Sequence, residues 1–80
     1  MIFIATFFSH YGAIHCKKIC DGKGLSARMM PVPRTLSSSC GTCVRIEAPD
    51  ADAIPRTEES EQIAVEEENR YRILWKADDS

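Results

Sequence analysis

Eighty residues suffice for one domain and are too few for two, because domains usually run to roughly 100–200 residues. With 44% hydrophobic and 28% charged residues, the composition is that of a globular chain rather than a disordered or membrane-spanning one. Ten basic against twelve acidic side chains leave a net charge of −2, which excludes a dedicated phosphate-backbone binder, so no nucleic-acid partner is expected.

Residues 2–8 form a continuous apolar run rich in Ile and Phe, the pattern of a strand buried on both faces at the centre of a sheet. Ser9 follows as a candidate N-cap, and a helix is predicted from there to Asp21. On that helix Ala13, Cys16, Ile19 and Cys20 fall on one face, to pack on the sheet, with His15, Lys17, Lys18 and Asp21 around the rest. Gly22-Lys23-Gly24 closes the helix, and residues 25–32 read as a second strand. Pro31 and Pro33 cannot donate to a ladder, so they end this strand or mark it as a sheet edge.

Residues 34–42 read as a loop of small polar residues, and 44–47 alternate as a third strand. Prolines and aspartates make 48–56 a connection. Thr57 and the acidic residues after it have the first turn of a second helix over 57–68. Its apolar stripe is only Ile63, Ala64 and Val65, so the alternative for 62–73 is a hairpin turning at Glu68-Asn69. Residues 70–75 alternate as the last strand. The expected fold is a single α+β domain over 1–80, a ferredoxin-like two-layer sandwich of order β-α-β-β-α-β with both helices on one face of an antiparallel sheet.

Charge is divided unevenly. Residues 1–49 carry six basic and two acidic side chains, and residues 50–80 carry four basic and ten acidic ones, so an anionic partner should meet the first half. The apolar start has no basic segment before it and no small-residue cleavage site after it, and no stretch approaches the roughly 20 apolar residues of a membrane span. A cytoplasmic protein without a membrane partner is expected, with its four cysteines reduced and available for catalysis or metal binding.

The segment from Met30 to Cys43 combines prolines, small hydroxyls, a basic side chain and two thiols, a mixture that core packing does not call for. A thiolate is favoured by nearby cations, by hydroxyl and amide donors and by the start of a helical turn. Arg34, Ser37, Ser38, Ser39 and Gly41 are the residue types that supply these around Cys40, the candidate nucleophile, and glycine beside it lets another molecule approach closely. Cys43 completes a C-x-x-C spacing and is the candidate resolving thiol. The bland alternative is a flexible loop with small buried cysteines. Core packing is the reading preferred for Cys16 and Cys20. Pooling all four thiols as a zinc site would require those two to leave the helix–sheet interface, so no metal ligand is assigned.

His10, at the predicted helix start, is a candidate substrate-binding group with a solvated histidine as its alternative. His15, Lys17, Lys18 and the Glu66-Glu67-Glu68 run read as solvated, and Trp75 as sheet packing.

The stretches Ile4-Ala5-Thr6-Phe7-Phe8-Ser9-His10-Tyr11-Gly12-Ala13, Met30-Pro31-Val32-Pro33-Arg34 and Leu36-Ser37-Ser38-Ser39-Cys40-Gly41 together resemble a small bacterial family of selenium/sulfur carrier-like proteins. Members of that family resemble a region of the selenium-metabolism protein YedF. The resemblance covers residues 2–47 and leaves 48–80 as a variable tail. It implies a sulfurtransferase-like carrier holding sulfur or selenium as a persulfide or selenopersulfide on Cys40. Ser37, Ser38, Ser39 and Gly41 would be its shell, and Pro31, Pro33 and Arg34 the rigid approach. Donor and acceptor proteins are the implied partners, a cysteine desulfurase-like donor among them. No cofactor is implied, and a homodimer is left open. The rival reading is a non-catalytic module that senses redox state through its thiols or binds zinc.

Overall fold

The computed structural model describes residues 1–77. It is an α+β domain of five strands and one α-helix: β1 (Ile2–Phe7), α1 (His10–Gly22), β2 (Ser26–Pro31), β3 (Thr42–Glu47), β4 (Ser60–Glu67) and β5 (Arg70–Lys76). The strands form one antiparallel sheet in the order β2-β3-β1-β4-β5. β1 is therefore central, and Phe3 through Phe7 are all buried, as a strand covered on both faces must be. β2 lies at an edge and stops at Pro31, where the missing N–H costs no ladder bond.

Ser9 caps α1, its hydroxyl accepting from the Gly12 amide at 3.2 Å. Ala13, Cys16 and Cys20 are buried against the sheet and Ile19 is half-buried, so the apolar stripe lands where the periodicity places it. This layer packs on Phe3, Ala5, Phe7, Val44, Ile46, Ile63 and Val65. No helix among the described residues is long and apolar enough to cross a membrane.

The second helix does not form, and the two-helix ferredoxin-like order is corrected accordingly. Residues 60–67 are instead β4, and the hairpin alternative is the arrangement found, with Glu67 paired to Arg70 across the Glu68–Asn69 turn. Asn69 adopts φ 60°, the left-handed region that asparagine tolerates better than most residues. The cause is burial. Gln62, Ile63, Ala64 and Val65 are consecutive and all buried between β1 and β5. A helix would turn the four through successive 100° steps and leave some of them in water.

The connection over 48–59 takes the second helix's place beside α1. Pro49 and Pro55 interrupt it, so only a 3₁₀ turn at Ala51–Ala53 is regular, yet Ala48 and Ile54 are buried in the same core as the helix. Arg56 lies 5.3 Å above the Trp75 ring, which packs on this layer as sheet filling. At the connection's far end Glu59 reaches the start of α1, its carboxylate accepting from the Ser9 hydroxyl at 2.7 Å and its carbonyl accepting from the Phe8 amide at 2.9 Å. Gly12 makes the approach possible, because a Cβ there would stand 2.5 Å from the Glu59 Cβ.

Candidate functional site

β1 and β2 run parallel on either side of β3, so the start of α1 and the loop from β2 to β3 lie at the same end of the sheet. The fold thereby brings His10 and the Cys40 loop together, which spacing alone left open. His10 is exposed on the first turn of α1, with Nδ1 3.3 Å from the Thr42 hydroxyl. The Cys40 thiol donates to the Thr42 carbonyl at 3.4 Å. Thr42 is thus a common neighbour of the imidazole and the thiol.

Residues 32–41 form a compact Ω-loop. The Val32 amide donates to the Gly41 carbonyl at 3.1 Å and closes the neck, and the Leu36 amide donates to the Pro33 carbonyl at 3.0 Å and makes a turn inside it. Gly41 holds φ +75°, a conformation that glycine adopts without cost, and it turns the chain from the loop into β3. Leu36 folds beneath the loop onto the sheet face opposite α1, where it is buried with Ile4, Cys43 and Ala64. Arg34 is exposed near the loop's start.

The three serines bind the loop to the sheet. The Ser37 carbonyl accepts from the Gln62 amide at 2.6 Å, and the Ser38 hydroxyl donates to the Phe7 carbonyl at 3.5 Å. Ser39 gives both its donors to Glu61, the hydroxyl at 2.6 Å and the amide at 3.2 and 3.3 Å to the two carboxylate oxygens. Thr6 adds a hydroxyl bond to the same carboxylate at 3.1 Å.

Glu61 can serve this role because β4 is irregular there. Thr6 pairs with Gln62 and Phe7 with Ser60, so Glu61 is an extra residue bulged out of the ladder and aimed at the loop. Burial pushes its carboxyl pKa up, but the hydrogen bonds from Ser39 and Thr6, with the Ser38 hydroxyl nearby, outweigh burial and hold it below the ordinary carboxylate value.

The four thiols are unequal. Cys16, Cys20 and Cys43 are completely buried, whereas Cys40 is half-buried, and all four are free. Burial pushes Cys16 up to about 12, with a further contribution from the neighbouring Cys20, whose own pKa burial also raises. Cys43 is pushed up to about 11, first by burial and then by Cys40. Cys40 packs beside the core under α1 while Cys43 points into the opposite layer, its thiol 3.7 Å from the Pro31 carbonyl. Among the described residues no three His, Cys, Asp or Glu side chains gather into a group able to hold a metal ion.

Thr6, Thr42, Glu61 and Gln62 were not singled out from the sequence. The available signal was a polar residue inside an apolar strand: Thr6 within β1 and Gln62 within β4 are both buried, and buried polar groups require partners. Here the partners are the serine loop and its anchor.

No curated protein and no solved structure matches the chain significantly. The family model described as "Putative Se/S carrier protein-like" matches residues 3–68, beyond the 2–47 segment and through β4 with its bulged Glu61. That match spans β1, α1, the Ω-loop and the strand that anchors it, and the chain belongs to this family of selenium/sulfur carrier-like proteins.

Proposed function

We propose that this protein carries sulfur or selenium as a persulfide or selenopersulfide on Cys40, receiving the atom from a donor protein and passing it to an acceptor. The observation that carries the reading is the distribution of the thiols: of four cysteines only Cys40 reaches the surface, and it does so on a loop tied to β4 through Ser37 and Ser39. A small domain with its reactive group at one end of the sheet suits transfer between proteins, where both partners must reach the same sulfur.

In the loading step the Cys40 thiolate attacks the terminal sulfur of a donor persulfide. A bond forms between Cys40 Sγ and that sulfur, the donor's S–S bond breaks, and the donor cysteine leaves as a thiolate. In delivery the acceptor's nucleophile attacks the outer sulfur and Cys40 leaves as a thiolate, so the cycle has no net oxidation. The Cys40 proton is directed at the Thr42 carbonyl and the Thr42 hydroxyl faces His10, so Thr42 is the neighbour that the thiol and the imidazole share. Arg34 is exposed at the start of the same loop, and a side chain at Gly41 would meet open space. The serines act by holding the loop in place, with Ser37, Ser38 and Ser39 each bonded to the sheet.

The test is to incubate wild-type and Cys40→Ala protein with a cysteine desulfurase and cysteine and to measure intact mass. An adduct of about 32 Da, one sulfur as persulfide chemistry requires, is expected on the wild type alone. An equal adduct on both proteins removes Cys40 from its role.

A further inference from the structure

A C-x-x-C carrier faces a chemical hazard. If Cys43 attacks the inner sulfur of a Cys40 persulfide, Sγ of Cys43 bonds to Sγ of Cys40, the bond to the outer sulfur breaks, and the cargo leaves as hydrosulfide while the protein is left with a disulfide. Electrons balance without an added oxidant. The Cys43 proton passes to solvent or to the departing sulfide. A carrier with both thiols exposed would discharge itself into water.

In the structure Cys43 is fully buried beneath the Ω-loop, in one cluster with Leu36, Ile4 and Ala64 and packed by Val32 and Met30. Leu36 and Val32 belong to the same loop that presents Cys40. That loop is fastened by the Ser37–Gln62 bond, by the Ser38–Phe7 bond and, at a charged anchor, by Glu61, which takes three hydrogen bonds from Ser39 and one from Thr6. We propose that Glu61 is a latch for the carrier site: by holding the loop closed over Cys43 it keeps the second thiol away from the Cys40 persulfide and so preserves the bound sulfur or selenium until an acceptor arrives.

The proposal rests on the carrier reading for its purpose, though not for its geometry. The bulge at Glu61 supports it independently, since an extra residue in a central strand disrupts the ladder and here its side chain is spent on the loop. The raised Cys43 pKa acts in the same direction, because a neutral thiol is a poor nucleophile until the loop opens and water reaches it. Release would come when an acceptor displaces Ser39 from Glu61, or when Glu61 is protonated. Facing the carboxylate are Thr6 from β1 and Ser38 and Ser39 from the loop, and Lys76 from β5 lines the same open pocket as Glu61 and the three serines.

Two measurements test the latch. The first compares wild type, Glu61→Ala, Glu61→Gln and Glu61→Ala/Cys43→Ala after persulfide loading by desulfurase and cysteine, following intact mass and released sulfide. Glu61→Ala should lose its cargo roughly tenfold faster than wild type, the shift in local opening expected when hydrogen bonds to a partly exposed charged group are removed. Glu61→Gln, which keeps one acceptor oxygen, should fall between. The product should be the Cys40–Cys43 disulfide, and the Cys43→Ala background should restore retention. Equal retention in Glu61→Ala and wild type overturns the proposal, and so does loss that persists without Cys43. The second measures iodoacetamide labelling of Cys43 on unloaded, reduced protein, expected to be faster in Glu61→Ala by a similar factor. An unchanged Cys43 rate overturns the latch even if loading works. A wild type that never loads, with Cys43 labelling still accelerated, instead overturns the carrier reading and leaves the latch as a gate on a dithiol.

Discussion

Gly12 and Gly22 lie on the same helix, and replacing each by alanine should move stability in opposite directions. Alanine is favoured over glycine in a helix by about 1 kcal/mol, which is the whole expected effect at Gly22, where a new Cβ meets nothing within 4 Å. At Gly12 the new Cβ would stand 2.5 Å from the Glu59 Cβ and 3.3 Å from both the Glu59 Cγ and the Phe7 Cβ. Glu59 cannot swing away, because its Cβ is fixed by a backbone whose carbonyl binds the Phe8 amide, and Phe7 is fully buried. Overpacking of this kind costs about 1–3 kcal/mol, and parting Glu59 from Ser9 removes a 2.7 Å hydrogen bond worth about 1 kcal/mol more. The penalty outweighs the propensity gain, leaving a net loss of about 1–3 kcal/mol. For a domain of this size each kcal/mol moves Tm by about 4–8 °C, so Gly12→Ala should lower Tm by roughly 4–24 °C and Gly22→Ala raise it by a few degrees. Thermal unfolding by circular dichroism at matched concentration decides the matter. A Gly12→Ala protein as stable as wild type, or shifted like Gly22→Ala, would show that the 48–59 connection does not press on the helix as described.

The thiols should label in a fixed order. At pH 7 a group with a pKa of about 11 is thiolate in about one molecule in ten thousand, so in the folded protein limited iodoacetamide should modify Cys40 well before Cys43, Cys16 or Cys20. Peptide mapping that finds Cys16 or Cys20 first would place the functional thiol on the wrong element. Because the Glu61 carboxyl is held below its ordinary value, its contribution to stability is complete above the unfolded value near 4.5 and is lost as pH falls through the folded one. Urea unfolding of Glu61→Gln should therefore show a smaller stability loss than wild type on going from pH 6 to acid, and parallel profiles would contradict the assignment. Gly41→Ala meets no atom within 4 Å but forces alanine to φ +75°, so it should cost about 1 kcal/mol or more and loosen the Ω-loop, read as faster hydrogen exchange at Ser39.

Local chemistry made much of this protein legible from its residues alone. The apolar run of β1, the Ser9 cap, the buried stripe of Ala13, Cys16 and Cys20, the prolines at the end of β2 and the polar loop around Cys40 each follow from a preference that acts within a few residues. The fate of residues 60–67 did not. An acidic first turn argued for a helix, and only the demand of the sheet for a strand buried on both faces, between β1 and β5, overrode it. Likewise, the serines beside Cys40 read as donors to a thiolate, whereas the tertiary structure bonds them to Glu61, Gln62 and the Phe7 carbonyl. Glu61 lies 22 positions from Ser39 and Glu59 lies 50 from Ser9, and no local preference reports on contacts at that separation. Sequence fixes what each residue can bond to. The parallel placement of β1 and β2, with β3 between them, decides which partners it meets.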